Sequence, residues 1–152
     1  MRVILQRVTQ ANVTVNDEIV GSIKAGYVAL VGVTHDDTHA EAELLAKKTA
    51  HLRVFEDDDG KMNISGLDAT ISILVISQFT LYADARKGRR PSFTHAAHPD
   101  IAAPLVDYYA ECLSNEGIKT IAKGIFGAEM HVEIHNHGPV TIILDTDELR
   151  QK

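Results

Sequence analysis

Cysteine is almost missing from this chain: Cys112 stands alone among 152 residues. One thiol cannot build an internal disulfide framework or a multi-cysteine zinc site, and so sparing a use fits a reducing cytoplasm. Long apolar runs are missing as well. The opening Val3-Ile4-Leu5 stops at Gln6-Arg7, far short of a signal-peptide core, and no stretch nears the ~18 apolar residues of a membrane span. A cytoplasmic protein without a membrane partner is therefore expected. Cations are in the minority, 15 Lys and Arg against 21 Asp and Glu, for a net charge of -6. That balance excludes a general basic coat for nucleic acid and confines any RNA contact to a local patch. Repeats, low-complexity segments and linkers are also lacking, so residues 1–152 read as one domain. With 45% apolar residues, such a domain can remove roughly 68–70% of its unfolded surface from water.

The first third alternates apolar and polar residues in short runs: Val3, Leu5 and Arg7; Val13 and Val15; Ile19 and Ile23; then Tyr27 to Val33. With Asn16-Asp17 and Lys24-Ala25-Gly26 as turns, this predicts a meander of antiparallel strands. Thr38 followed by Glu41 forms a capping box, and Ala42, Leu45, Ala46, Thr49 and Leu52 then share one helical face. The aspartates of 56–60 are spaced wrongly for an EF-hand loop and suit a solvated Asp59-Gly60 hairpin turn. Residues 71–76 are apolar on both faces apart from Ser72, as in a doubly covered central strand. His98-Pro99 opens a second helix whose Ile101, Leu105, Tyr108, Tyr109 and Cys112 share a face until Gly117 stops it. Three strands follow: 118–122, 130–135 and 140–144. The expected fold is α+β, its antiparallel and mixed β layers forming a barrel-like sandwich with two main helices packed outside.

Four groups of residues could carry chemistry. Ser77-Gln78-Phe79-Thr80 places hydroxyl and amide groups where a buried strand gives out, either as a site on a rigid scaffold or as a plain strand cap. Asn136-His137-Gly138-Pro139-Val140-Thr141 lies between two expected strands; its Gly-Pro pair can turn carbonyl oxygens outward, or it is an ordinary turn. Arg86, Lys87, Arg89 and Arg90 gather four cations within five residues, a phosphate clamp or a solvated loop. His131, Glu133, His135 and His137 would share one face of a strand. Imidazoles with a carboxylate can bind zinc, but ligands two residues apart on a flat strand diverge rather than converge on a tetrahedron. No metal or other cofactor is expected.

Taken together, the opening 1–8, Gly60-Lys61-Met62-Asn63, Ser77-Gln78-Phe79-Thr80-Leu81, Arg89-Arg90-Pro91-Ser92-Phe93, Phe126-Gly127-Ala128 with Met130, and Gly138-Pro139-Val140-Thr141 cover nearly the whole chain. In this order and spacing they resemble the D-aminoacyl-tRNA deacylase (D-tyrosyl-tRNA deacylase) family of homodimeric, chirality-checking hydrolases. One departure shows: His137 stands where the family often carries an acidic residue.

The resemblance implies hydrolysis of the ester that joins a D-amino acid, and in some settings glycine, to the terminal adenosine of tRNA. It implies that Ser77, Gln78, Phe79 and Thr80 line the ester. It further implies that Gly138 and Pro139, joined by a cis peptide and aided by Met130, enter the pocket of the partner subunit and select chirality. The cluster Arg86, Lys87, Arg89 and Arg90 is then expected to bind tRNA. Thr80 as nucleophile and water assisted by the RNA 2′-hydroxyl are both open routes; the motif holds no His or carboxylate base, which favours water. Two rivals remain, a metal-dependent hydrolase built on the 131–137 strip and a non-catalytic RNA-binding module built on the 86–90 loop.

Overall fold

A computed structural model describes residues 1–150. Strand β1 (Arg2–Val15) is the spine of the sheet. Its alternation places Val3 and Leu5 on a fully buried face. Asn16 and Asp17, at φ 49° and 64°, close a tight hairpin into β2 (Glu18–Ile23), as their side-chain types require. The expected turn at Lys24-Ala25-Gly26 is not there. Ile23 pairs with Ala11 and Gly26 of β3 (Gly26–Gly32) pairs with Val8, so β2 and β3 run on in line against β1. The meander is thus one long hairpin with a short interruption. Gly26 sits at φ 158° because a Cβ would lie 1.7 Å from the Ser72 carbonyl oxygen.

The chain next crosses through helix α1 (His39–His51), capped as its sequence dictates. The Thr38 amide donates to Glu41 Oε2 at 2.6 Å, and Ala40 donates to the Thr38 hydroxyl. Burial pushes the Glu41 carboxyl up, but the Thr38 hydroxyl and amide and the Arg150 guanidinium outweigh it and hold the pKa down to about 2. A small hairpin, β4 (Phe55–Glu56) and β5 (Met62–Ile64), follows. Its turn is organised by Asp57, whose carboxylate accepts the amides of Asp59 and Lys61.

Strand β6 (Ser72–Ser77) lies parallel to β3 and is buried from residue 73 to 76, matching its two-faced apolar sequence. Helix α2 (Pro99–Glu116) starts on the His98 cap and ends at Gly117 in the left-handed region. Its buried face differs from the expected one at its first position: Ala102 packs inward, while Ile101 is 44% exposed. Cys112 is a packed thiol whose pKa burial pushes up. Strand β7 (Thr120–Lys123) adds parallel to β6, and β8 (His131–Asp145) covers the other edge of β1 before the short α3 (Thr146–Leu149). The order is β8-β1, then the collinear β2 and β3, then β6 and β7. Gly21 lets β7 return towards β2, for its missing Cβ would stand 2.9 Å from the Lys123 carbonyl oxygen. The mixed sheet therefore curls into a nearly closed barrel. Val8, Val13, Ile23, Val28, Leu74 and Ile76 fill its inside, and the helices pack on its outer face, with Tyr109 of α2 in one core with Leu5, Tyr27 and Ile73 of the sheet.

Two expected strands, 130–135 and 140–144, are one strand in the structure, because β8 keeps pairing with β1 on both sides of Gly138-Pro139. Gln6 pairs with Thr141 and Val8 with Asn136, so residues 137–140 arch out opposite Arg7 alone. The Gly138–Pro139 peptide is cis. Arg7, 5% exposed, supports the arch from beneath. It donates to the His137 carbonyl at 3.1 Å and the Val54 carbonyl at 2.7 Å, and lies 3.8 Å from Glu56. Asn136 ties the ends of the arch in the orientation that satisfies its neighbours, donating to the Arg7 carbonyl at 2.9 Å and to that of Val140 at 3.1 Å. Gly138 sits at φ 123°, and a Cβ there would meet Arg7 Nη2 at 2.9 Å.

Replacing Arg7 by Met keeps most of its length but leaves two carbonyls without their charged donor. Urea unfolding is expected to show a loss of about 2–4 kcal/mol, with Arg7→Lys intermediate. A loss below about 1 kcal/mol would show that the arch stands without the guanidinium.

Candidate active site

Three parallel strands, β3, β6 and β7, point their carboxyl ends the same way, and the loops that leave them surround one cavity of about 630 Å³. The end of β3 contributes Val31 and Val33, the end of β6 contributes Ser77, Gln78 and Phe79, and the segment after β7 contributes Phe126, Gly127 and Ala128. Met130 and Val132 form its floor with Ile76. The start of α2 closes the remaining side with His98, Pro99 and Ala102. Crevices at the carboxyl ends of parallel strands collect ligands because the chain must leave the sheet there in loops.

Ser77 is the last residue of β6, and the Gln78 amide still donates to the Val31 carbonyl at 2.8 Å. The chain then tightens into a 3₁₀ turn over Phe79–Tyr82, seated against Gly32, where a Cβ would stand 3.0 Å from that of Leu81. The amides of Phe79 and Thr80 begin this turn and have no acceptor among the described residues. Thr80 is exposed, does not line the cavity, and its hydroxyl accepts from the Gln78 side-chain amide. No His, Asp or Glu approaches it as a base within hydrogen-bonding distance among the described residues. His98 lines the cavity, but its Nδ1 is taken by the Asp100 amide as the cap of α2.

The cavity is mainly apolar, with Phe79, Phe93 and Phe126 around it. Phe79 and Phe93 meet edge to face at 5.2 Å and stay about half exposed at the mouth. Met130 holds its place because Gly124 has no side chain; a Cβ there would lie 2.5 Å from the Met130 sulfur. Of the residues expected at the site, the structure gathers Ser77, Gln78, Phe79 and Met130. Gly138 and Pro139 do not join them: they are exposed on the arch of β8, three strands away from β6 in the same chain.

The basic loop hangs from a two-bond bridge between Asp84 and Ser92, at 2.7 and 2.8 Å, with Gly88 at its tip in the left-handed region. Arg86 forks onto Asp84 at 2.8 and 2.7 Å and holds that carboxyl far below the usual range. It is partly committed to the base of its own loop. Lys87, Arg89 and Arg90 are exposed without a partner among the described residues. Along the histidine strip, His131, Glu133, His135 and His137 face solvent in alternation with half-buried neighbours, and Glu133 accepts from Asn12. Among the described residues, no three His, Cys, Asp or Glu side chains are placed to hold a metal ion.

Sequence reasoning passed over Arg7 and the start of α2. Arg7 had left a signal, since it shares parity with the buried Val3 and Leu5.

The sequence profile of the family described as D-Tyr-tRNA(Tyr) deacylase matches residues 4–145. A D-aminoacyl-tRNA deacylase of Thermomicrobium roseum is 59% identical over 150 residues, 99% of this chain and 97% of that one. Its counterpart in Chloroflexus aurantiacus is 56% identical over 150 residues, 99% and 93% of the two chains. Among solved structures, the c-Myc DNA Unwinding Element Binding Protein superposes with a TM-score of 0.90 at 40% identity, covering 96% of this chain and 99% of that one. With near-complete coverage at such identity, the chain belongs to the D-Tyr-tRNA(Tyr) deacylase family.

Proposed function

We propose that this protein hydrolyses the ester of D-aminoacyl-tRNA, releasing the D-amino acid and the intact tRNA in the cytoplasm, and that 77–80 form its catalytic segment. The observation that carries the reading is the pair of acceptor-free amides, Phe79 and Thr80, beside an aromatic cavity with no base in reach. The cavity suits the adenine of the terminal nucleotide, a flat apolar face that Phe79, Phe93 and Phe126 can cover. The ester carbonyl then lies on the two amides, which gain strength as its oxygen becomes negative in the tetrahedral intermediate.

Water supplies the nucleophile. Its oxygen bonds to the ester carbon, the bond to the ribose 3′-oxygen breaks, and the proton passes by way of the neighbouring 2′-hydroxyl to that leaving oxygen. An exposed threonine without a base is a poor competitor for this step.

Chirality is checked by shape. Gly138 and Pro139 are exposed and remote from the cavity of their own chain, so we assign them to the cavity of a second copy in a homodimer. Strand β8 offers the surface for it: among the described residues its outer edge is unpaired, and Ile143 on it is 61% exposed. With the ester fixed by one subunit and the ammonium by carbonyls of the other, an L side chain meets the wall made by the arch, while a D side chain points out. Glycine has no side chain to reject and is expected to be cleaved as well. The cations Lys87, Arg89 and Arg90 hold the phosphates of the acceptor strand, and Arg86 shapes their loop.

Purified protein is expected to release D-tyrosine from D-tyrosyl-tRNA and spare the L-ester; equal release of both enantiomers overturns the chiral reading. Thr80→Ala is expected to lower kcat by less than about tenfold, whereas loss of an essential nucleophile costs several orders of magnitude. A trapped aminoacyl-enzyme would return Thr80 to that role. For the shared site, Gly138→Ala, which strains the arch, and Ala128→Trp, which fills the cavity, should each inactivate the homodimer. Subunit exchange between them should restore about one working site per heterodimer. No recovery after exchange is verified by mass would place the arch outside the partner's cavity.

A further inference from the structure

The mouth of the cavity does not end at Phe79 and Phe93. Both walls run on into a second depression of about 550 Å³. On one wall the 3₁₀ turn begins at Phe79 in the cavity and ends at Tyr82 in this groove. On the other, Phe93 lines the cavity and His95, two residues on, lines the groove. The far end is closed by Asp84 and Arg86, the root of the basic loop.

We propose that this groove binds the nucleotide immediately preceding the terminal adenosine of the tRNA acceptor strand, with Tyr82 and His95 contacting its base; the assignment rests on the deacylase reading above. Distance agrees. Three residues of 3₁₀ helix advance ~6 Å, and a stacked nucleotide takes ~3.4 Å of strand, so Tyr82 lies one to two nucleotides beyond Phe79.

The groove is also built to stay in shape. The Arg2 guanidinium covers the Tyr82 ring at 4.8 Å, donates to the Leu81 carbonyl at 2.7 Å and is anchored on Asp145 at 2.8 Å. The His95 carbonyl accepts from the Thr34 hydroxyl at 2.6 Å, which fixes its backbone and leaves the imidazole exposed. Charge decides which part of the nucleotide goes in. Asp84 and Asp147 line the groove beside Arg2 and Arg86, so it holds no surplus of cations for a phosphate. A base with ring faces and hydrogen-bonding edges fits such a mixed surface, and its phosphate falls outside the groove on the side of the basic loop.

The test compares three D-tyrosyl substrates: the ester of adenosine alone, of the trinucleotide CCA, and of whole tRNA. In the parent protein, kcat/KM is expected to rise about tenfold or more from adenosine to CCA, since stacking one base contributes that much. His95→Ala and Tyr82→Leu should each lower the ratio of kcat/KM for CCA to that for adenosine by about fivefold or more, chiefly through KM. His95 is on the surface, so its variant tests the groove even if Tyr82→Leu loosens the packing of Arg2. Equal kcat/KM for adenosine and CCA in the parent, or variants that leave the ratio unchanged, would overturn the groove and leave the deacylase reading intact. Failure of the parent on all three substrates would instead overturn that reading.

Discussion

A guanidinium buried beneath the β8 arch governs the shape of that edge of the sheet. Desolvating a cation is costly unless fixed acceptors surround it. Arg7 finds two carbonyls, from Val54 and His137, and the Glu56 carboxylate at 3.8 Å. They come from the segment before β4, from β4 itself and from β8, while Arg7 stands on β1. Satisfying the charge therefore fixes the hairpin β4–β5 and the arch of β8 relative to the spine of the sheet. The arch can stand clear of its ladder because the ladder's lost bonds at 137–140 are offset by Arg7 below and Asn136 at its ends. Gly138 follows from the same constraint, since only a residue without Cβ can sit at φ 123° against Arg7 Nη2.

The segment proposed as catalytic depends on a different regularity. β3, β6 and β7 are parallel, so their carboxyl ends converge without any special contact between the loops. β6 is buried on both faces and cannot move, which makes Ser77 a fixed point from which the 3₁₀ turn departs. Preorganised amides act only if their direction is set before substrate arrives. The rigid strand behind them and the tight seat on Gly32 supply that direction. Rigid scaffold and exposed segment recur in the arch, on the opposite edge of the sheet.

Local chemistry was legible in the sequence wherever one segment decides its own structure. The capping box at Thr38, the His98-Pro99 start and Gly117 stop of α2, and the apolar strand ending at Ser77 all formed as their residues imply. The misreadings came where pairing overrode local signals. Lys24-Ala25-Gly26 has turn composition, yet both flanking segments find partners on β1 in the same register and the chain runs straight on. Gly138-Pro139 has the composition of a strand break, yet β1 is long enough to hold β8 on both sides of it. Of the cavity lining, Ser77, Gln78, Phe79 and Met130 could be named from sequence, whereas the wall at 96–99 could not, because only the crossover through α2 brings it there. The 131–137 strip was legible as one face of a strand, and that same regularity keeps its side chains from converging on an ion.

An acidic chain that works on RNA also has to let go of it. In the basic loop Lys87, Arg89 and Arg90 have no partner among the described residues, in a chain whose net charge is -6. Three phosphate contacts to a single strand give a log-log salt slope of only about -2, at ~0.7 per contact. Electrostatic grip of that size holds any tRNA briefly and equally, whatever amino acid it carries. On the proposed reading, the distinction between a D and an L ester arises within the cavity, through whether the carbonyl reaches the Phe79 and Thr80 amides. Weak, indifferent capture followed by a strict geometric test suits a protein that meets far more correct esters than wrong ones. Tighter phosphate binding would lengthen the stay of every correctly charged tRNA and leave the geometric test unchanged.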